Sequence, residues 1–171
     1  SGKSTQCKLL SSYLKKFNVA ASVIKAKTKK QNKSFKEFTR AFGINSDSIS
    51  FAFLYQALHR RQFELTRREL NDGSIVIADR WNPSFFVFHN NFGQLANLPK
   101  ARKCLDNLAF EGLEPDLCFL LDIPVGTAFQ RRLKRKTEAP PSRQEFRFYR
   151  RISAEYNKLA TEKNWVVINA Q

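Results

Sequence analysis

Two small groups of residues in this chain have the types and spacing to do chemistry: Ser1-Gly2-Lys3-Ser4-Thr5 at the start, and Asp79-Arg80 near the middle. The first has the order of the closing half of a phosphate-binding loop, G-x-x-x-x-G-K-[ST]. Such a loop needs backbone N–H groups and a helix N-terminus aimed at phosphate oxygens, a lysine on the terminal phosphates and a hydroxyl on Mg²⁺. Gly2 permits the close turn, Lys3 supplies the charge, Ser4 holds the metal and Thr5 completes the ATP-binding set. The loop's first glycine and the strand leading into it are expected upstream of Ser1, so the loop reads as truncated at its N-terminal side. The competing reading is a loose terminus of small polar residues.

Asp79 and Arg80 close the apolar run SIVIA. In open α/β sheets, ligands sit at the carboxyl ends of the strands. An aspartate placed there holds Mg²⁺ through water or accepts a proton, and an arginine forks onto phosphate. The bland alternative is an ion pair at a strand end.

The elements that must position these groups follow from periodicity. Cys7, Leu10, Leu14 and Phe17 recur at helical spacing, which predicts an amphipathic helix from Thr5 to Phe17 directly after the loop. Short, continuously apolar runs at Val19–Ala26, Ser74–Asp79, Leu117–Ile123 and Trp165–Ile168 predict strands. Continuous rather than alternating strands, separated by helical stretches, imply a parallel sheet covered on both faces. Ser46 to Leu70 predicts a long helix capped by Asp47 or Ser48, with Phe51, Leu54, Leu58 and Leu65 as its buried stripe. The lysine-rich stretch from Lys25 to Lys36 reads as a solvated loop.

Composition narrows the classes. The 171 residues suit one domain, and 42% apolar content is enough for a sizeable core. No apolar run approaches the roughly 20 residues needed to span a bilayer, and the start carries no signal core, so neither insertion nor secretion is indicated. Cys7, Cys104 and Cys118 are too far apart for metal-ligand spacing, and read as reduced core residues of a cytoplasmic protein. The net charge of +15 favours polyanionic partners, either a nucleotide or a nucleic acid.

Taken in order, SGKSTQ, LYQALHRRQ, DGSIVIADRWNPS, PDLCFLLDIP and the Arg131-Arg132 pair resemble the thymidylate kinase family over nearly the whole chain. DRW-x-x-S is similar to that family's DR[YH]-x-x-S, and PDL-x-x-LLD to its PDL strand. The resemblance implies a three-layer P-loop kinase fold, a parallel sheet flanked by helices, with the first strand lying beyond this sequence. It implies one domain over residues 1–171, with a lid around 131–147. It also implies phosphoryl transfer from ATP with Mg²⁺ to a nucleoside monophosphate, dTMP giving dTDP. Lys3, Asp79, Arg80, Arg131 and Arg135 are then the catalytic set, with Ser4 and Asp79 at the metal and Gly2, Lys3, Ser4, Thr5 and Arg143 at ATP.

The acceptor falls to Arg80, Ser84, Phe88 and His89, with Arg60 or Arg61 standing for the arginine that the family carries as A-x-R on its long helix. His89 replaces the family's glutamine, and Arg143 is displaced from its lid arginine. Lys25-Ala26-Lys27 stands where the family has Glu-Pro or Phe-Pro. The resemblance further implies a homodimer formed through helices. Two other readings share the motifs: a deoxynucleoside kinase with Asp79 as base, and a basic relative that binds nucleic acid without kinase activity.

Overall fold

The computed structural model describes residues 2–91, 93–134 and 140–171, apart from the side chains of residues 90 and 91. The chain divides into two compact units, Gly2–Leu113 and Glu114–Gln171.

The first unit runs α1 (Lys3–Lys16), β1 (Ala21–Ile24), α2 (Lys29–Ala41), α3 (Ile49–Asn71), β2 (Ile75–Ala78), α4 (Asn82–Asn91), a 3-10 turn (Gln94–Asn97) and α5 (Pro99–Phe110). β1 and β2 pair in parallel, with Ala21 opposite Ile75 and Ile24 opposite Ala78. Their carboxyl ends therefore finish side by side, and residues 25 and 79 leave the strands at one edge. The Asn71-Asp72-Gly73 turn before β2 depends on Gly73, whose φ of 77° lies in the left-handed region that a side chain resists.

The core of this unit lies along α3. Ala52, Phe85, Leu95 and Leu105 form one buried cluster. Phe63, Trp81, Ala109 and Phe110 form a second, in which the Trp81 indole Nε1 donates to the Leu113 carbonyl at 3.1 Å. Here the long-helix expectation needs correcting. Phe51, Leu54, Leu58 and Leu65 are only partly buried, and the fully buried positions are Ala52, Gln56, His59, Gln62, Phe63 and Thr66. A helix normally turns its apolar stripe inward; this one turns a face with four polar side chains inward, and that face runs toward the functional site.

The lysine-rich stretch is likewise not a loop throughout, since α2 starts at Lys29. Thr28 caps it: its hydroxyl accepts from the Gln31 amide at 3.3 Å, while Gln31 Oε1 accepts from the Thr28 amide at 2.9 Å. This reciprocal pair satisfies two donors that a helix start leaves open. Thr28→Ala should therefore cost about 1 kcal/mol, read as a lower urea midpoint at unchanged slope.

On α1, Leu10 and Phe17 are exposed and the buried residue is Ser11, which donates to the Ala21 carbonyl at 3.3 Å. The cysteines are not core residues either: Cys104 is exposed, and Cys7 and Cys118 are half-buried.

The second unit contains β3 (Phe119–Asp122), α6 (Val125–Lys134), α7 (Arg143–Glu162) and β4 (Val166–Asn169). β3 and β4 are again parallel, Phe119 opposite Val166 and Asp122 opposite Asn169. Ser142 caps α7 by accepting from the Glu145 amide at 3.1 Å. Within this unit the strands keep much of their apolar surface in solvent, Val166, Val167 and Ile168 among it, whereas the sequence predicts strands covered on both faces. Each unit is thus a parallel β pair flanked by helices, the α/β class that the strand pattern implies.

Candidate active site

Gly2 starts the site. At φ 74° it forms the N-cap of α1, and its carbonyl accepts the amides of Thr5 and Gln6 at 2.9 and 3.0 Å. A Cβ at Gly2 would meet no atom within 4 Å, so the requirement for glycine here is one of backbone conformation alone. No acidic residue occupies the first turn of α1. The positive end of the helix dipole is thereby left for an anionic ligand.

Asp79 is where the two predicted groups meet. It follows β2 directly, and its amide donates to the Ile24 carbonyl at 2.9 Å, extending the β1–β2 ladder. Its Oδ2 accepts from the Ser4 hydroxyl at 2.5 Å and pairs with Lys25 Nζ at 2.8 Å, with the Asp79 side chain only 8% exposed. Burial works to raise this carboxyl, but the bonds from Lys25 and Ser4 and the nearby charge of Lys3 outweigh it and hold Asp79 below the usual carboxylate range. The group is therefore an ionised acceptor at neutral pH.

Lys3 carries the opposite shift. Burial first, then the like charge of Arg80, push its ammonium down to about 8, with Asp79 opposing. A lysine lowered in this way loses its charge on the alkaline side. For the free enzyme, kcat/KM for ATP should be level below about pH 7.5 and fall toward tenfold per unit well above pH 8. In Lys3→Arg, whose guanidinium does not titrate there, that limb should be absent.

Arg80 has a backbone φ of 78°, unusual for a residue with a side chain. Gln62, fully buried on α3, donates from Nε2 to the Arg80 carbonyl at 2.8 Å, and the Arg80 guanidinium reaches Ser84 Oγ at 3.5 Å. Backbone strain of this kind persists where surrounding groups over-determine it, and it clusters at functional sites. Lys3 and Lys25 thus act on one carboxylate while Arg80 adds its charge beside Lys3, leaving a surplus of positive charge at a helix N-terminus. That surplus suits a polyphosphate.

Ser4 and Asp79 also fit a hard cation. They offer a hydroxyl and a carboxylate oxygen, with no sulfur or imidazole. Among the described residues no group of three or more His, Cys, Asp and Glu gathers as a metal cage. Mg²⁺ needs none, because it is commonly held by one or two protein oxygens together with substrate phosphates.

The other expected residues stand as follows. Thr5 is exposed on α1. Arg60 donates to Glu111 at 2.6 Å, Glu64 at 3.1 Å and the Leu108 carbonyl at 3.1 Å, and so ties α3 to α5. Arg61 is exposed. Phe88 is half-buried, while His89 is buried with its ring 4.4 Å from Phe85. Burial, then Arg102, lower the His89 pKa. In the second unit, Arg131 donates to the Ala170 carbonyl at 2.8 Å, and exposed Arg143 opens α7. Arg135 lies outside the described residues, as do Glu138 and Ala139 of the expected lid.

Three residues of this region escaped the sequence reading, Gln56, His59 and Gln62, while Lys25 was placed in it only as part of a basic run and without its partner Asp79. For His59 a signal existed, since counting A-x-R from Ala57 ends on residue 59 and not on Arg60 or Arg61.

Comparison with known proteins gives a consistent picture. A family model described as thymidylate kinase matches residues 1–171. A thymidylate kinase of Prochlorococcus marinus (strain NATL2A) is 29% identical over 183 residues, covering 99% of this chain and 83% of the relative. One from Thermosipho melanesiensis is 30% identical, covering 99% of this chain and 84% of the relative. A third, from a different strain of Prochlorococcus marinus, is 33% identical over 107 residues, and the chain spans 47% of its length. The crystal structure of thymidylate kinase from Ehrlichia chaffeensis superposes with a TM-score of 0.68 at 21% identity, over 98% of this chain and 84% of that one, which shows the fold.

Proposed function

The chain belongs to the thymidylate kinase family, and from that premise we propose that it transfers the γ-phosphoryl group of ATP to dTMP, giving ADP and dTDP. The observation that carries this reading is the convergence of Ser4 and Lys25 on the ionised Asp79 at the open N-terminus of α1.

In the reaction, a phosphate oxygen of dTMP forms a bond to the γ-phosphorus as the bond from that phosphorus to the β–γ bridging oxygen breaks, and ADP leaves. Little covalent chemistry falls to the protein, so positioning and charge neutralisation do the catalysis. The first-turn amides of α1 and Lys3 bind the donor phosphates. Ser4 and Asp79 are the residues that would hold Mg²⁺, which when bound neutralises charge on the donor oxygens. Arg80, fixed by Gln62 through its carbonyl and lying beside Ser84, faces the acceptor phosphate and the charge that develops during transfer.

This reading treats residues 1–171 as one kinase domain. It assigns residues from about 131 to 147 the part of a lid, with Arg131, Arg135 and Arg143 as its phosphate-binding arginines. A homodimer and a cytoplasmic location, where ATP and dTMP are at hand, belong to the same reading. No helix of the described residues is long and apolar enough to cross a membrane.

The test is ADP formation with Mg·ATP and, in turn, dTMP, other nucleoside monophosphates and thymidine. Turnover with dTMP supports the proposal, and turnover with thymidine alone replaces it by a nucleoside kinase. If no acceptor is used by folded protein, the kinase reading fails. A linear fall of log affinity for DNA with log salt would then favour the nucleic-acid binder.

A further inference from the structure

The carboxylate oxygen best placed to meet a divalent cation already has a positive partner. Lys25 Nζ lies 2.8 Å from Asp79 Oδ2, and the Ser4 hydroxyl donates to that same oxygen at 2.5 Å. Backbone register puts the ammonium there. Ile24 stands opposite Ala78 and its carbonyl accepts from the Asp79 amide at 2.9 Å, so the residues that follow the two strands leave the sheet side by side. The ladder fixes the backbone of Lys25, and only its flexible four-carbon stem has room to swing.

The charge balance here is unlike that of a standing metal cage. Hard cations are drawn to oxygens that carry surplus negative charge. The single charge of Asp79 is matched by Lys25 in contact with it, and Lys3 adds a second positive charge that acts on the same carboxylate. The Asp79 side chain is 8% exposed, so water screens little of this, while that of Lys25, at 30%, keeps a way out to solvent. A divalent cation arriving alone must therefore displace an ammonium from a buried oxygen against the repulsion of Lys3. One arriving on a polyphosphate brings anions that give the displaced ammonium a new partner.

We propose that Lys25 is the resident cation of the Ser4–Asp79 pair, a positioning residue that shuts out a bare divalent metal ion and yields its place when the metal comes bound to nucleotide phosphates. The inference deepens the kinase reading above and rests on the metal-holding residues named there. No covalent bond is made or broken in the exchange. Its effect is an order of entry: Asp79 stays engaged with Ser4 between turnovers, and the metal arrives together with the donor whose charge it neutralises.

Mn²⁺ tests it, because this ion suits the same oxygen ligands and its binding is counted by electron paramagnetic resonance without nucleotide or turnover. Titrated with Mn²⁺ alone, the intact Lys25→Met chain should bind it about 10- to 100-fold more tightly than the wild type, and Mn²⁺ should raise the melting temperature of the variant only. Lys25→Arg, which keeps the charge, should bind as weakly as the wild type. Lys25→Gln, which leaves Asp79 an amide donor, is the second variant if the methionine form does not fold. The double variant Lys25→Met/Asp79→Asn should lose the gain, and ADP added with the metal should narrow the difference between wild type and Lys25→Met.

Equal Mn²⁺ affinity in the wild type and the uncharged variants, a gain that survives Asp79→Asn, or a difference that ADP leaves unchanged would overturn the proposal. A merely structural role for Lys25 would lower the melting temperature without moving Mn²⁺ affinity. ADP formation is scored apart from these titrations. Tight Mn²⁺ binding by Lys25→Met with no turnover in the wild type would sink the kinase reading and leave the exchange standing, whereas turnover with unchanged Mn²⁺ affinity would sink the exchange alone.

Discussion

Lys3→Ala is expected to lower kcat/KM for ATP about 10³-fold while the protein stays folded. Loss of one positioned donor to developing charge commonly costs about 10²–10³, and Lys3 adds a full charge in a partly buried place. The same burial decides the stability outcome. Its ammonium sits beside Arg80 and is held at about 8, so the folded state gains little from this charge at neutral pH. The melting temperature of Lys3→Ala should equal or exceed that of the wild type, and steady-state kinetics with ATP varied at saturating dTMP measures the rest. A loss under about tenfold would remove Lys3 from the donor site.

Arg80→Gly should move activity and stability in opposite directions. Arg80 holds φ 78° while its carbonyl accepts from Gln62, and a left-handed backbone at a residue with a side chain costs about 1 kcal/mol or more. Glycine adopts that conformation without steric cost. The glycine variant should melt a few degrees higher and turn over about 10²–10³ times more slowly, having lost a guanidinium that stabilises transferring phosphoryl charge. Arg80→Ala separates the two effects: it should lose as much activity and gain no stability. Equal melting of the glycine and alanine variants would show that the backbone there is relaxed.

The strands and the first helix were legible because their signals are local. SIVIAD is a continuous β-branched run behind an Asn-Asp-Gly turn, and β2 lies inside it. GKS followed by helical spacing gave α1, although α1 takes Lys3 into its first turn and buries Ser11 in preference to Leu10. The pairing of Lys25 with Asp79 was hidden for a different reason. It depends on the parallel register that sets Ile24 opposite Ala78 and so lays Lys25 against Asp79. A count along one strand does not show which lysine of a basic run will meet a distant carboxylate.

The α2 start was readable in principle, as Thr28-x-x-Gln31, but lysine density pointed to solvent. The α3 face misled most. A stripe drawn through Phe51, Leu54, Leu58 and Leu65 follows hydrophobicity, whereas the buried face carries Gln56, His59, Gln62 and Thr66. Burying that many polar groups is costly without partners, and the partners of Gln62 and His59 are a backbone carbonyl eighteen residues away and a neighbouring glutamine. Local patterns fail where a site, and not the core, decides which way a helix turns.

Trp81 gives the molecule a built-in optical readout. The chain has two tryptophans, Trp81 in the first unit and Trp165 in the second. The Trp81 ring is buried 4.7 Å from Phe110, one residue along from Arg80. With Trp165→Phe, emission would come from the indole next to the strained arginine alone, and its colour would follow ligand entry at that point in real time. With Trp81→Phe, the remaining indole would report the other unit. Comparing the two denaturation curves would tell whether the units melt as one cooperative body or in sequence.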